Sequence, residues 1–595
     1  MSVFFKTFVR ENYFALLTAI LVGLIYVGPQ LIFIFSLGDQ YQGIPMMHTA
    51  NEDFYLARIQ EILDSHPAVS SHAFFEYKNQ WPMQSPTVEL LYALPSLLFG
   101  VSLASVLIAS KFVLPAILFL VVYFLIRKLT DQAPSFLNKA NAIAGALMVT
   151  LGYDLVDYRN VWLFLIGQRE PGGGFLLWSR PINPVSGGIF LMIFLVFIWS
   201  IIQKTKWHKA SLLGASVFLA LMMGSYFFGW GLALSILSIL GFLYLIKKEY
   251  QIIKNLVCVP LLALLLAAPY WYIVWQATKS PWYAESALRN GLFYTHRPLL
   301  NKFMIAVLGT YLIFVFVFSR EKLSNFKDWH WMSLAFIFGS FVAYNQQIIT
   351  GMTIWPYHFV SYTIPLGVIV LMTLLYNFLN TKAPRLLIIA IIAIASASLF
   401  YGTVIQASVY QRLFAQSVET QAYAPVLRWL NAQEKDCVVF VNETDGRASV
   451  LAGLIPAFTH CNVYASTWVH SLMPTKRSYH SYFAALKLRE VPPDTINQYI
   501  KENGSEIVGY LFSNWKGLYN SPDFPDFSDP ELEQRIKEFP EQYQEFSKKD
   551  FRNELEKYRL DYILSFGTLS PSLVKSLKLE KSLEVTAPGI VVYTF

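Results

Sequence analysis

Val185-Ser-Gly-Gly-Ile-Phe-Leu-Met-Ile-Phe-Leu-Val-Phe-Ile-Trp-Ser-Ile-Ile202 is a run without a charged residue, and Lys204 and Lys206 follow closely. An apolar run of roughly 18 residues or more can cross the hydrocarbon core of a bilayer as a helix. Comparable apolar segments recur along the chain, so the sequence predicts an α-helical polytopic membrane protein with about eleven transmembrane helices. The predicted spans are 13–37, 101–126, 140–153, 185–202, 212–227, 232–246, 256–275, 303–318, 331–344, 359–379 and 386–405.

The composition supports a membrane protein. Of the 595 residues, 55% are hydrophobic and 14% are charged, whereas a soluble domain usually carries about 25% charged residues. The net charge of +7 does not indicate a nucleic-acid binder. The Lys and Arg residues lie beside the apolar spans, where positive charge determines orientation.

The basic residues at the span ends predict the orientation in the membrane. Lys6 and Arg10 precede the first span and place the N-terminus in the cytoplasm. Val88–Gly100 is apolar but too short to cross, so we expect it to be interfacial or re-entrant. With that segment not crossing, Arg127, Lys128 and the later basic clusters are cytoplasmic and the C-terminus is outside. The predicted outward loops are a large first loop, 38–100, and loops 154–184, 276–301 and 345–358.

The composition changes near residue 408, where charges become frequent and apolar runs shorten. Strands are expected at 437–441, 561–566 and 589–595, and helices at 495–502 and 530–557. We therefore expect a transmembrane domain at 1–407 and an extracytoplasmic α/β domain at 408–595. In that second domain Cys437 and Cys461 either form a disulfide in an oxidising compartment or remain two buried thiols.

Carboxylates and cations gather in the outward loops. Glu52 and Asp53 lie at the start of an amphipathic stretch. Acids at that position also simply stabilise the N-terminus of a helix, without a catalytic role. Asp154 and Asp157 at the outer end of a span are natural ligands of a hard divalent cation if they lie near Asp53, or are simply solvated. Arg180 suits a phosphate group, because a guanidinium offers two parallel contacts, although it also suits lipid headgroups.

Several motifs resemble those of one enzyme superfamily. Asp53-Phe-Tyr55-Leu-Ala-Arg58 is similar to the Asp-x-Tyr-x-x-Arg pattern near the first-loop acid of oligosaccharyltransferase catalytic subunits. Pro86-Thr-Val-Glu-Leu-Leu-Tyr-Ala-Leu-Pro95 resembles the segment after that loop in bacterial lipid-linked sugar transferases. The runs Ser179-Arg180-Pro181-Ile-Asn183-Pro184 and Asn345-Gln-Gln…His358 resemble segments of bacterial members. The chain thus resembles the C-type (GT-C) integral-membrane glycosyltransferases. The Trp-Trp-Asp motif of oligosaccharyltransferases is absent, the nearest string being Trp468-Val-His470, which argues against transfer of whole oligosaccharides to asparagine.

The resemblance implies transfer of a sugar, with inversion, from a polyprenyl-phosphate lipid donor to a glycan, lipid or protein acceptor at the outer face of the plasma membrane. It implies a general base, for which Asp53 is the first candidate and Glu52 the second. The leaving phosphate needs positive charge, and the candidates are Arg58, Arg180, Arg297 and His358. Asp154 and Asp157 would position the acceptor or, with Asp53, hold a cation such as Mg²⁺ or Mn²⁺.

Two other classes of function remain open. A transporter or lipid flippase is disfavoured because the span centres carry few ionisable residues and no internal repeat is evident. A non-catalytic envelope scaffold is disfavoured by the clustering of acids and arginines in the outward loops. A common cavity for Asp53, Asp154 or Asp157, and Arg180 would favour the enzyme.

Overall fold

The chain folds as a multi-pass helical membrane protein with a C-terminal α/β part. The computed structural model describes residues 2–47, 51–130, 135–157, 159, 161, 162, 166, 174–205, 208–290, 292–442, 446–466, 471–512 and 530–595. Trp468-Val-His470 lies outside these residues.

The N-terminal part of the fold is almost entirely helical, because apolar segments in hydrocarbon have to bond their backbone groups internally. Its helices are α1 (Ser2–Leu37), α2 (Glu52–Leu63), α3 (Thr87–Phe99), α4 (Leu103–Leu129), α5 (Phe136–Thr150), α6 (Val185–Ile202), α7 (His208–Met223), α8 (Phe227–Ile246), α9 (Tyr250–Leu266), α10 (Ala268–Thr278), α11 (Tyr283–Arg289), α12 (Lys302–Leu312), α13 (Asp328–Tyr344), α14 (Gln347–Thr350), α15 (Val360–Lys382) and α16 (Pro384–Gln421). A short hairpin, β1 (Leu292–Tyr294) with β2 (Met352–Ile354), joins two loops that the sequence predicts to face outward.

All eleven predicted spans coincide with helices. By length and composition alone, seven helices of the described chain can cross a membrane, and α9 with α10, bent by 62°, would make an eighth. The helix α7 and the helical stretch Lys302–Phe318 are apolar but shorter, and α5 has 15 residues. A multi-pass membrane protein is therefore confirmed, while eleven crossings and their orientation stay predictions.

Helix α3 matches the segment that the sequence analysis expected not to cross. Its 13 residues span about 20 Å at 1.5 Å per residue, which is shorter than the hydrocarbon core. One face of α3 is exposed and apolar, including Leu94, Leu97, Leu98 and Phe99. An interfacial position is consistent with that face.

The C-terminal part contains a five-stranded sheet with helices around it. Its strands are β3 (Val438–Val441), β4 (Asn462–Val463), β5 (Tyr562–Phe566), β6 (Glu580–Val585) and β7 (Ile590–Thr594), in the order β4-β3-β5-β7-β6. β3 runs parallel to β4 and β5, and β7 runs antiparallel to β5 and β6. Its helices are α17 (Ala424–Asn431), α18 (Gly446–Phe458), α19 (Thr475–Leu488), α20 (Ile496–Phe512), α21 (Pro530–Lys548), α22 (Phe551–Leu555) and α23 (Pro571–Leu577).

The strands and helices predicted after residue 408 are thus present. Cys437 and Cys461 form a disulfide, with Cα atoms 4.5 Å apart. The proposed division between 407 and 408 falls within α16, a continuous helix of 38 residues. The exact domain boundary therefore stays a prediction.

The predicted first outward loop packs on the C-terminal part. Lys78 Nζ lies 3.1 Å from Glu61 Oε1 and 2.6 Å from Asp436 Oδ1, so one buried ammonium joins α2 to the segment that leads into β3. The backbone N–H of Val463 donates to the carbonyl of Ala73 over 3.0 Å. These contacts hold α2 in a fixed position between the membrane helices and the sheet.

Candidate active site

A cavity of about 620 Å³ opens between α2, the segment before α6, the end of α16 and α18. Its wall combines the acidic start of α2, one arginine, a polar edge of α16 and apolar side chains. The lining residues are Ile44, Pro45, Met47, Glu52, Asp53, Gly174, Phe175, Leu176, Leu177, Arg180, Gln416, Ser417, Thr420, Val450 and Leu454.

Asp53 lies in the first turn of α2, where the helix dipole favours a carboxylate. Its Oδ1 accepts the backbone N–H of Phe54 over 2.9 Å. Burial raises the pKa of Asp53 above the ordinary value, and the neighbouring charge of Glu52 adds to the increase. A raised pKa makes the ionised carboxylate a stronger base than a solvated aspartate, provided that the pH lies above that pKa.

Glu52 is held differently from its neighbour. Its side chain is almost fully buried and forms an ion pair with Lys111 Nζ in α4, with Oε1 at 2.6 Å. The pair neutralises Glu52 where an isolated carboxylate would be unfavourable. Of the two acids, Asp53 is therefore better suited to accept a proton, and Glu52 to fix the start of α2.

Arg180 brings a positive charge into the same cavity. Its Nη2 donates to the Tyr55 hydroxyl over 3.2 Å, and its guanidinium lies 5.1 Å from the centre of the Tyr55 ring. Tyr55 belongs to α2, so the helix that carries Asp53 also orients Arg180. The Nε of Arg180 is buried without a hydrogen-bond partner in the described structure, which leaves a donor for an anionic ligand.

The other predicted site residues do not line this cavity. Arg58 is buried in an ion pair, its Nε lying 2.6 Å from Glu89 Oε1. Arg297 is exposed beyond β1, and its carbonyl accepts a hydrogen bond from Gln347. The Nδ1 of His358 lies 2.8 Å from the Tyr226 hydroxyl. The assignment of all three to phosphate binding stays a prediction.

The two acids of the predicted second outward loop are not among the residues that line the cavity with Asp53. An oxygen of Asp154 lies 3.4 Å from the Tyr401 hydroxyl, and Asp157 Oδ1 accepts the backbone N–H of Arg159 over 3.0 Å. Neither residue lines the cavity, so the structure adds no support to a cation held jointly by Asp53, Asp154 and Asp157. The only described group with three possible metal ligands is Cys437, His460 and Cys461, and its two sulfurs are bonded to each other.

Sequence reasoning missed several residues of the site. Lys111 was detectable, because it is the single charge within the predicted span 101–126 and such residues usually have a function or a partner. Tyr55 belongs to the Asp53–Arg58 motif, but nothing in the sequence was a reason to assign it a role. The contribution of Ser417 to the cavity carries no local signal, since it depends on contacts between distant segments.

Comparisons with known proteins find only distant structural likenesses. No protein-family profile matches the chain, and no curated protein matches it. ArnT from Cupriavidus metallidurans, solved with undecaprenyl phosphate, is similar in structure with a TM-score of 0.47 and 9% identity, over 96% of this chain and 97% of that one. The oligosaccharyltransferase AglB from Archaeoglobus fulgidus, solved with an inhibitory peptide and a dolichol-phosphate, gives a TM-score of 0.45 and 13% identity, over 93% of this chain and 69% of that one. Likenesses this distant say nothing about chemistry.

Proposed function

We propose that the protein is a membrane glycosyltransferase that moves a sugar from a polyprenyl-phosphate lipid to a hydroxyl acceptor at the outer face of the membrane. The observation that carries the proposal is the shared cavity of Asp53 and Arg180. A base and a phosphate-binding cation are the two groups that such a transfer requires. The motif at Asp53–Arg58 supports the same class of reaction.

The proposed reaction is a single displacement. The acceptor oxygen attacks C1 of the sugar, the C1–O bond to the lipid phosphate breaks, and the configuration at C1 inverts. The acceptor's hydroxyl proton goes to Asp53, whose raised pKa suits a base. The departing phosphate takes the bonding electrons. The guanidinium of Arg180, including its Nε, stabilises the negative charge on the phosphate.

The position of the cavity supports the proposed orientation. Its lining residues belong to predicted outward segments and to the C-terminal part, and none belongs to the basic linkers assigned to the cytoplasm. We place the N-terminus in the cytoplasm and the C-terminal part outside it.

Substitution of Asp53 tests the proposal. The assay uses the full-length protein in lipid nanodiscs, a panel of synthetic polyprenyl-phosphate hexoses and pentoses, and membrane extract as the acceptor source. Released polyprenyl phosphate is measured. We expect Asp53→Asn to lower kcat/KM by about 10²- to 10⁴-fold, which is the usual contribution of a general base.

Asp39→Asn is the matched control, because Asp39 is an exposed aspartate of the same first loop. It should retain wild-type turnover. Full activity of Asp53→Asn, or a wild-type protein that turns over no member of the panel, would contradict the proposal.

A further inference from the structure

Helix α18 of the C-terminal part contacts the helix that carries the proposed base. The helices α2 and α18 pack against each other, and Ala457 near the end of α18 is buried in one apolar cluster with Phe54 and Leu56 of α2. Two residues of α18, Val450 and Leu454, line the cavity beside Asp53. The C-terminal part thus supplies a wall of the cavity.

The closest approach of the two helices is at Gly453. A Cβ atom at this position would lie 2.5 Å from Asp53 Oδ2 and 3.5 Å from Asp53 Cγ. The first distance is far below a van der Waals contact, so any larger residue would displace the carboxylate or separate the helices. Glycine in a helix interior costs about 1 kcal/mol relative to alanine, and here its missing side chain provides the space that Asp53 occupies.

The contact also accounts for part of the environment of Asp53. The α18 backbone lies against one side of the carboxylate and excludes water there, and burial is the largest cause of the raised pKa of Asp53. A carboxylate pushed away from α18 moves towards the open cavity. Its pKa then falls towards the ordinary aspartate value.

From this geometry we infer that Gly453 is a positioning residue that sets the place of the Asp53 carboxylate, so that α18 completes the site. The inference rests on the proposed function only for its effect on turnover. The contact itself is independent of what the cavity binds. The positioning role of Gly453 gives the C-terminal part a role in the reaction, in addition to forming a wall of the cavity.

Two alanine substitutions in the same helix test the inference. Gly453→Ala should lower kcat by about tenfold or more, because small displacements of a reacting group are costly. It should also move the acidic limb of the pH–rate profile to lower pH. Gly446→Ala is the matched control, since its Cβ would meet no described residue within 4 Å, and it should leave both kcat and the profile unchanged.

A double-mutant cycle on thermal unfolding supplies a readout that needs no substrate. Asp53→Ala removes the clashing oxygen and keeps a Cβ atom, which would lie 3.7 Å from the new Cβ at position 453, an ordinary contact. We expect Gly453→Ala to lower the unfolding temperature of the wild-type protein but not that of Asp53→Ala.

The outcomes separate the two proposals. Equal effects of Gly453→Ala in both backgrounds, or wild-type turnover and pH profile for Gly453→Ala, would overturn the positioning role while leaving the glycosyltransferase proposal intact. Full activity of Asp53→Asn with a non-additive cycle would overturn the proposed function and leave the contact established.

Discussion

At the scale of single residues, the site depends on how each charge is compensated. The sequence proposed Asp53 as an acid before an amphipathic stretch, and Arg180 as a guanidinium between aromatic and proline residues, both in predicted outward loops. Arg58 belongs to the same motif, yet its charge is taken up by Glu89 at 2.6 Å. No local pattern reveals that pairing, since the two residues are brought together by the packing of α2 against α3.

The buried pair of Glu52 and Lys111 gives a prediction about stability. Lys111→Met leaves a buried carboxylate without its partner, so we expect the free energy of unfolding to fall by about 3–5 kcal/mol. The double variant Glu52→Gln with Lys111→Met should recover most of that loss, because neither charge remains. Denaturant titration in detergent, followed by tryptophan fluorescence, measures both values.

The exposed pair of Lys204 and Glu249, at 3.0 Å, is the matched control. Lys204→Met should change the free energy of unfolding by less than about 1 kcal/mol, since solvent screens exposed ion pairs. Equal effects of Lys111→Met and Lys204→Met would mean that the Glu52–Lys111 pair is not buried as described.

At the scale of secondary-structure elements, most of the fold was predictable from apolar runs. Each predicted span lies on a helix, and the strands around 437–441 and 561–566 are present, because apolar length and β-branched composition are local properties. The bend between α9 and α10 was not anticipated, although Pro260 and Pro269 lie on either side of it. Pattern alone does not give the angle between two helices.

Whether α3 crosses the membrane determines the predicted orientation of every later segment. If α3 stays on the outer surface, Lys382 at the end of α15 is cytoplasmic, and if α3 crosses, Lys382 is external. Single cysteines replace Asp39 and Lys382 in a Cys258→Ser background, because Cys258 is the one free cysteine. A membrane-impermeant maleimide is then applied to intact cells.

We expect Asp39→Cys to react in intact cells and Lys382→Cys to react only after permeabilisation. The Asp39 position serves as the positive control, since both topologies place it outside. Labelling of Lys382→Cys in intact cells would show that α3 crosses the membrane and would reverse the proposed orientation.

At the scale of the whole molecule, the cavity is built from segments that are distant in the chain. The predicted first outward loop contributes Asp53, the predicted second outward loop contributes Arg180, and α18 contributes Val450 and Leu454, with Gly453 against Asp53. Sequence reasoning identified the first two loops through their charges. It left the role of the C-terminal part open, because the packing of α18 on α2 depends on the tertiary structure and not on a local pattern.

The same dependence explains why some candidates remain outside the cavity. Asp154, Asp157 and Arg297 lie in predicted outward loops, as Asp53 and Arg180 do, and that shared location was the reason for grouping them. A topology prediction gives the side of the membrane on which a residue lies. It does not give the distances between residues on that side.

The most direct test of the account is an experimental structure of the full-length protein in nanodiscs with a polyprenyl phosphate. The account predicts the phosphate within hydrogen-bond distance of the Arg180 guanidinium, on the cavity side of α2, with space for a sugar between it and Asp53. A phosphate bound elsewhere, with no contact to Arg180, or bound from the cytoplasmic side, would contradict it.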